Sequence, residues 1–270
     1  MPFEDLQNER VAVVAPHPDD ETIGAGWLLT NLHSPILIHV TDGSPRDLSD
    51  AWAAGFEDRR DYAAARRIEL YDALRAGGIR VGAGACETFA LGVVDQEASL
   101  EMAALAHKLA DLFRELRPTA ILTCAYEGGH PDHDATSFAV HAARSMLSQG
   151  PPIFEFCLYH AARETGAERK ARIETGVFLP GQDEGRVVEL SGLAQGVKTR
   201  MIRCFKTQRH MLENFSVEHE RFRAAPAYDF SEPPHTRKLY YEHFNWGIQG
   251  ERWRQLAAAA AHELGVAVLI

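Results

Sequence analysis

The sequence lacks the features of a membrane-spanning protein and of a disulfide-linked protein. Its 270 residues include only four cysteines, at positions 86, 124, 157 and 204, and none form a C-x-x-C pair. This wide spacing excludes a disulfide framework and a thiolate zinc site, and it is typical of reduced core cysteines. No apolar run is long enough to span a bilayer, and the first ten residues lack the basic and apolar regions of a secretory signal. We therefore expect a cytoplasmic protein without a membrane span.

Basic residues are also few. Lysine and arginine number 28 against 38 aspartates and glutamates, so the formal net charge is −10. An acidic chain is repelled by nucleic-acid phosphates and by anionic membrane surfaces, which argues against both as principal partners. The expected partner is a small neutral or cationic molecule.

Short apolar runs alternate with helical patterns through residues 10–160. Strands are predicted at 11–15, 36–40, 86–91, 120–125 and 154–159. Helices are predicted at 20–32, 52–74, 100–116 and 134–147. This alternation predicts an α/β fold with a mostly parallel sheet.

The rest of the chain has a less regular pattern. A strand is predicted at 187–190, a helix at 196–215, and a terminal helix with a short strand after it. Between them, residues 225–246 are rich in proline and aromatic residues, which is typical of a segment that wraps a core, forms a subunit contact or stacks on a substrate. We expect a single domain over residues 1–270, with its core at 10–160 and an irregular C-terminal extension at 161–270.

Two histidine-containing segments share one local design. Pro16-His17-Pro18-Asp19-Asp20-Glu21 follows the first predicted strand, and His130-Pro131-Asp132-His133 follows the fourth. A single such turn is explained by the preference of proline and acidic residues for the first turn of a helix. Two of them, at strand ends that can meet along one edge of a parallel sheet, indicate a metal site.

The residue types of these segments predict their roles. Histidine and carboxylate groups are ordinary zinc ligands, and three protein ligands leave a position open for catalysis. Successive residues of a helical turn diverge by roughly 100°, so two adjacent aspartates do not both reach one ion. We expect His17, Asp20 and His133 to hold the metal and Asp19 to act as general base toward water. His130, kept protonated by a nearby carboxylate, is predicted to stabilise the oxyanion and protonate the leaving nitrogen.

Two other acidic residues have open roles. Asp42 lies in the loop after the second predicted strand, at the sheet edge where open α/β sheets bind ligands, so it is a candidate pocket residue. An ordinary Asp-Gly turn explains Asp42 equally well. Glu21 either supports the metal ligands from the outer shell or caps its helix.

The two motifs resemble those of the PIG-L/LmbE-like zinc-dependent N-acetylglucosaminyl deacetylases. The similarity lies in residues 16–21 and 129–136, in the same order and about 110 residues apart, and it extends over residues 10–160. Members of this family remove acetyl or related acyl groups from amino sugars in lipids, thiol-cofactor precursors and antibiotic glycosides. The resemblance implies a Rossmann-like three-layer α/β sandwich with a mostly parallel sheet.

The resemblance also implies roles for individual residues. It implies that zinc is bound by His17, Asp20 and His133. It also implies that Asp19 is the general base and that Asp132 orients His130. Sugar contacts are implied for Arg66, with Arg67 as second choice, and for Asp95 in a Leu-Gly-x-x-Asp segment. Some members carry a tyrosine acid two residues before the histidine at 130, but this chain has glycine there, so no tyrosine acid is implied.

The sequence thus predicts a hydrolase that uses zinc, or alternatively ferrous iron, to remove an N-acyl group from an amino-sugar-containing substrate. Acetyl is the expected acyl group. An alternative is hydrolysis of a non-sugar N-acyl amine or an ester at the same site. Two histidines and one carboxylate also form the ligand set of non-haem iron oxygenases, although that chemistry needs neither Asp19 nor His130. Members of the family are often oligomeric, so a homo-oligomer is a further expectation.

Overall fold

The computed structural model describes residues 3–163, 172–180 and 183–267. Its strands are β1 (Val11–Ala15), β2 (Ile36–Pro45), β3 (Glu87–Asp95), β4 (Ala120–Cys124), β5 (Ile153–Phe156), β6 (Tyr159–Ala161), β7 (Ile173–Thr175), β8 (Arg186–Glu189) and β9 (His219–Ala224). Its helices are α1 (Asp20–Asn31), α2 (Ser49–Ala53), α3 (Arg59–Ala76), α4 (Met102–Leu116), α5 (Pro131–Ser145), α6 (Gly192–Ile202), α7 (Arg209–Leu212) and α8 (Gly250–Leu264). None of the helices in these ranges is long and apolar enough to cross a bilayer.

One seven-stranded sheet organises the fold, in the order β3-β2-β1-β4-β5-β9-β8. Strands β1 to β5 run parallel, whereas β9 is antiparallel to β5 and β8 is antiparallel to β9. Strands β6 and β7 pair separately as an antiparallel hairpin. The predicted α/β fold with a mostly parallel sheet is therefore confirmed.

Both faces of the sheet are covered, which explains why its central strands are apolar on both sides. In β1, Val11 and Val13 pack into one core, and Ala12 and Val14 pack into the other. Helices α1, α3 and α6 cover the first face, and α4, α5 and α8 cover the second. The result is a three-layer sandwich.

The chain order of the strands reverses between β1 and β4. From β1 the chain proceeds outward to β2 and β3, and it then returns to place β4 on the other side of β1. The two strands pair in parallel from Val11↔Ala120 to Val14↔Thr123. Loops diverge at such a switch point, which is where open α/β sheets bind ligands. The segments after β1 and β4 therefore lie side by side.

Several predicted boundaries were wrong. The helix predicted at 52–74 is two helices, because Gly55 (φ 86°) ends α2 and Asp58 starts α3 by accepting a hydrogen bond from the Asp61 N–H. The helix predicted at 196–215 is α6, a 3₁₀ turn and α7. Strand β9 was not predicted. The short strand predicted after α8 falls at the chain end, where residues 268–270 lie outside the described part.

Helix α1 is interrupted one and a half turns after it starts. Ala25 has non-helical dihedral angles (φ −146°, ψ 23°). The Glu220 carboxylate, from β9, accepts hydrogen bonds from the N–H groups of Trp27 (2.7 Å) and Leu28 (3.0 Å) and so starts the second half of the helix. Lys198 binds the same carboxylate at 2.9 Å, and both charged groups are buried. The C-terminal part of the chain thus holds the helix that begins with Asp20.

Candidate active site

A cavity of about 350 Å³ opens beside the carboxyl ends of β1 and β4. This volume lies within the range of small-molecule sites, which is about 300–1,000 Å³. Seven of the nine predicted site residues line it: His17, Asp19, Asp20, Arg66, Asp95, His130 and His133.

Three ligand atoms converge at the base of the cavity. His17 Nδ1 lies 2.9 Å from Asp20 Oδ2, and His133 Nε2 lies 3.3 Å from each of them. A tetrahedral ion bound at about 2.0–2.1 Å places its ligands about 3.3 Å apart. The three atoms therefore match one face of such a tetrahedron, and the donor set is one that divalent ions accept. This cluster could bind a metal ion.

Local structure explains this convergence. Asp20 is the first residue of α1, and its Oδ2 also accepts a hydrogen bond from the His17 backbone N–H at 2.9 Å, which closes the loop after β1. His133 lies in the first turn of α5, whose first residue is Pro131. Proline is well suited to that position because its fixed φ fits the helix and its missing N–H is not needed.

The other nitrogen of His17 faces two carboxylates. Its Nε2 lies 3.1 Å from Asp95 Oδ1 and 3.4 Å from Asp132 Oδ2. Asp132 is itself held by the N–H groups of Gln96 (2.6 Å) and Ala98 (3.0 Å). A carboxylate behind a histidine keeps the proton on the nearer ring nitrogen, so the Nδ1 lone pair would be available to an ion bound at this cluster.

His130 differs from its sequence-based prediction. The Asp132 carboxylate faces His17, and Asp132 contacts His130 through its backbone N–H, which donates to His130 Nδ1 at 3.2 Å. A neutral ring that accepts at Nδ1 carries its proton on Nε2. Burial lowers the pKa of His130 well below its ordinary value, and His17 lowers it further, although Asp95 opposes this shift. This direction favours the neutral ring, whereas the sequence predicted an imidazolium.

Asp19 lies just before α1 and is almost fully buried. Its Oδ2 accepts a hydrogen bond from Arg66 at 3.0 Å. Burial raises the pKa of Asp19 to about 7, and Asp20 contributes to the rise, although Arg66 lowers it. A carboxylate that titrates near neutral pH, beside a candidate metal position, has the properties of a general base.

Arg66 and Asp95, both predicted sugar contacts, are engaged with the protein. Arg66 is 3% exposed and donates to Gly43 O (2.8 Å) and to Asp19. Asp95 contacts His17 and lies 3.8 Å from His130 Nε2. Burial raises the pKa of Asp95, but His17 and His130 outweigh burial and hold it below its ordinary value. Asp95 is therefore ionised at the cavity wall.

Asp42 and Glu21 lie outside this cavity. Asp42 forms an ion pair with Arg59 and accepts a hydrogen bond from the Ser44 N–H, and it borders a separate small cavity. Glu21 is fully buried and binds His39 at 3.0 Å and the Asp19 N–H at 3.2 Å. Its carboxylate thus supports the loop that carries Asp19.

Further lining residues come from the C-terminal third and were not predicted. They are Gln208, His210, Met211, Leu212, Phe215, Phe244, Asn245 and Trp246. The Trp246 ring lies 4.8 Å from the His130 ring, and Phe244 stacks on Trp246 at 4.7 Å. The aromatic content of residues 225–246 was the only sequence signal for Phe244, Asn245 and Trp246, and residues 208–215 carried none.

The fold and site define an α/β protein whose switch point carries a candidate metal cluster and a buried carboxylate. The family model described as "PIG-L: GlcNAc-PI de-N-acetylase" matches residues 12–144. This match includes both histidine motifs and confirms their resemblance to the family.

Two curated relatives are similar over part of their length. The 1D-myo-inositol 2-acetamido-2-deoxy-alpha-D-glucopyranoside deacetylase of Corynebacterium glutamicum (strain R) is 31% identical over 157 residues, which cover 52% of this chain and 54% of that protein. The probable N-acetyl-alpha-D-glucosaminyl L-malate deacetylase 2 of Bacillus cereus is 33% identical over 143 residues, 51% of this chain and 61% of that protein. The chain thus spans between half and two thirds of the length of these relatives.

Solved structures share the fold over most of the chain. The N,N'-diacetylchitobiose deacetylase of Pyrococcus horikoshii has a TM-score of 0.57 at 20% identity and covers 83% of this chain and 86% of its own. The A40926 pseudoaglycone deacetylase has a TM-score of 0.55 at 19% identity and covers 81% of this chain and 99% of its own. These similarities establish a common fold.

Proposed function

We propose that this chain is a zinc-dependent N-deacetylase that acts on a small molecule containing N-acetylglucosamine. The observation that carries this proposal is the triangle of His17, Asp20 and His133 ligand atoms, with edges of 2.9–3.3 Å, beside the buried carboxylate of Asp19. The names of the two curated relatives, both deacetylases of N-acetylglucosamine derivatives, support the substrate class. Ferrous iron suits the same ligands.

In this mechanism, His17, Asp20 and His133 would hold the ion. When bound, the ion lowers the pKa of a water molecule and polarises the acyl carbonyl. Asp19 accepts a proton from the attacking water, whose oxygen bonds to the acyl carbon. The Arg66 guanidinium, 3.0 Å from Asp19 Oδ2, favours the ionised carboxylate that this step requires.

His130 stabilises charge on the acyl oxygen as a neutral donor. Its Nε2–H points into the cavity because Nδ1 accepts the Asp132 N–H. A neutral imidazole that keeps this proton has none to give to the leaving nitrogen. Protonated Asp19 therefore returns the proton to that nitrogen as the C–N bond breaks, which leaves a carboxylic acid and an amine.

Three features beyond the reaction stay proposals. Asp95 would contact a sugar hydroxyl, since it lines the cavity in its ionised form. Residues 161–270 would belong to the same domain as residues 10–160, because β8 and β9 extend the central sheet. The enzyme would work in the cytoplasm. It would also form a homo-oligomer, and light scattering on the purified protein tests this oligomeric state.

The test is acetate release from N-acetylglucosamine glycosides by metal-stripped protein, before and after zinc or ferrous iron is restored. We expect release only with metal and its loss in Asp19→Asn. Parallel assays with an N-acetylated alkylamine and an acetate ester test the alternative substrates. Release that persists after complete metal removal would contradict the proposal.

A further inference from the structure

Part of the cavity, which we call the outer cavity, is lined by residues with no predicted site role. We define it by Asp47, Asp50, His210, Phe244 and Trp246. The two aspartates come from the segment between β2 and α3, and the other three residues come from the C-terminal third. This composition combines an acidic side with an aromatic side.

The acidic residues of the segments in and around the cavity fall into two groups. Some are engaged by a basic side chain in the ion pairs Asp19–Arg66, Asp42–Arg59 and Glu97–Arg46. In contrast, Asp47 accepts only the N–H of Ser49, at 2.8 Å, and no ion pair involves Asp47 or Asp50 within the described ranges. Their charges are available to a ligand.

The cavity as a whole has an excess of negative charge. Its described lining holds five aspartates and a single arginine, Arg66, which Asp19 and the Gly43 carbonyl already engage. A divalent ion would not offset this excess. Burial and the charge of Asp95 raise the pKa of Asp50, and the charges of His210 and Arg66 oppose this rise, so these groups all act on the same space.

The lining of the outer cavity also offers aromatic surface. Phe244 and Trp246 are half-buried and stack at 4.7 Å with an interplanar angle of 15°. Half-buried aromatic faces bind the apolar face of a ring and attract cations through the ring quadrupole. The two aspartates repel an anionic group, and the faces of the two aromatic rings do not attract one.

We propose that the outer cavity makes this enzyme selective for N-acetylglucosaminides whose aglycone is a neutral or, preferably, amine-bearing cationic group, and that it rejects carboxylate and phosphate aglycones. The selectivity rests on the proposed deacetylase activity. It separates this chain from the relative named for the anionic L-malate glycoside. Asp47 and Asp50 act on the charge of the aglycone, and Phe244 contacts its apolar part.

The test compares three glycosides of N-acetylglucosamine that differ only in a 2-aminoethyl, 2-hydroxyethyl or carboxymethyl aglycone. We expect kcat/KM to fall in that order, with a ratio on the order of tenfold or more between cation and anion at low ionic strength. The ratio should shrink between about 0.01 M and about 1 M salt. The double variant Asp47→Lys/Asp50→Lys should lose or invert the order.

The control variant is Glu57→Lys, because Glu57 is exposed and outside the cavity. It changes the net charge in the same direction and should keep the wild-type order. Equal rates for the three glycosides, faster release from the carboxymethyl glycoside, or equal effects of the cavity and control variants would each overturn the selectivity.

Binding separates this proposal from the proposed function. Dissociation constants of the three glycosides for zinc-loaded Asp19→Asn, measured by calorimetry, should follow the same order. If the wild type hydrolyses none of the three glycosides but their affinities follow the expected order, the deacetylase proposal fails and the selectivity stands. If hydrolysis occurs but neither rate nor affinity depends on aglycone charge, the selectivity fails alone.

Discussion

Replacing Arg66 with methionine should move the acidic limb of the pH–rate profile to higher pH. Asp19 serves as a base only when ionised, so kcat/KM falls as the pH drops through its pKa of about 7. The Arg66 guanidinium lowers that pKa from 3.0 Å away. Its removal therefore raises the pKa and delays ionisation to a higher pH.

The distance sets the size of this effect. Two unit charges at 3.0 Å interact by about 5 kcal/mol in an effective dielectric of about 20, an upper bound for the pair. An aspartate beside an arginine is commonly shifted by about 1–3 pKa units. We therefore expect kcat/KM at pH 7 to fall by about 5- to 500-fold and to recover at a pH about 1–3 units higher.

The assay is acetate release across the pH range for the wild type, Arg66→Met and a control, Arg67→Gln. Arg67 is exposed and does not line the catalytic cavity, so its variant should keep the wild-type limb. An unchanged limb in Arg66→Met together with a raised KM would refute the coupling to Asp19. That result would favour the sugar contact implied by the family resemblance.

Further variants test the other parts of the site and fold. His130→Gln should lower kcat by about 10²- to 10³-fold with zinc retained, whereas His133→Ala should lose the zinc; acetate assays with metal analysis distinguish the two. Asp132→Asn should weaken zinc binding about 10- to 100-fold in chelator competition, because His17 loses a carboxylate that faces its Nε2. Unchanged zinc affinity would show that Asp132 does not support His17 as a ligand. Glu220→Gln should lower the free energy of unfolding by about 3–5 kcal/mol in denaturant titrations, since it leaves a buried lysine without its counter-charge. The exposed control Glu218→Gln should change it by less than about 0.5 kcal/mol, and equal losses would contradict the role of the buried pair.

The parts of the molecule that sequence predicted well are specified by local signals. Val11–Ala15 was predicted to the residue, because an apolar β-branched run ends at Pro16. The approach of His17 and His133 was predictable because strand ends in a parallel sheet share one edge. Once the order of the strands was assumed, this prediction did not depend on how far apart the two histidines lie along the chain.

Other features depend on long-range contacts that leave no local pattern. Strand β9 escaped prediction because buried charges interrupt its apolar residues: Glu220 binds Lys198, and Arg223 binds Glu155. The interruption of α1 at Ala25 likewise depends on a carboxylate about 195 residues away. Such pairings become visible only when the elements are placed together.

The sequence predicted which histidines and aspartates lie close together, but it did not predict the partners of individual groups. His130 was expected beside the Asp132 carboxylate, but two backbone N–H groups draw that carboxylate toward His17. Asp42 was left open between a pocket residue and an ordinary turn, and in the structure it lies outside the pocket, paired with Arg59. The walls built by Phe244 and Trp246 come from a region with no motif to locate them.

The most direct test of the central claim is a zinc titration of the metal-stripped protein in which bound zinc and acetate release are measured together. We predict that activity rises with occupancy and reaches its plateau at one zinc per chain. Asp19→Asn should bind that zinc with similar affinity and release almost no acetate. Activity without bound zinc, or an active Asp19→Asn variant, would contradict the account.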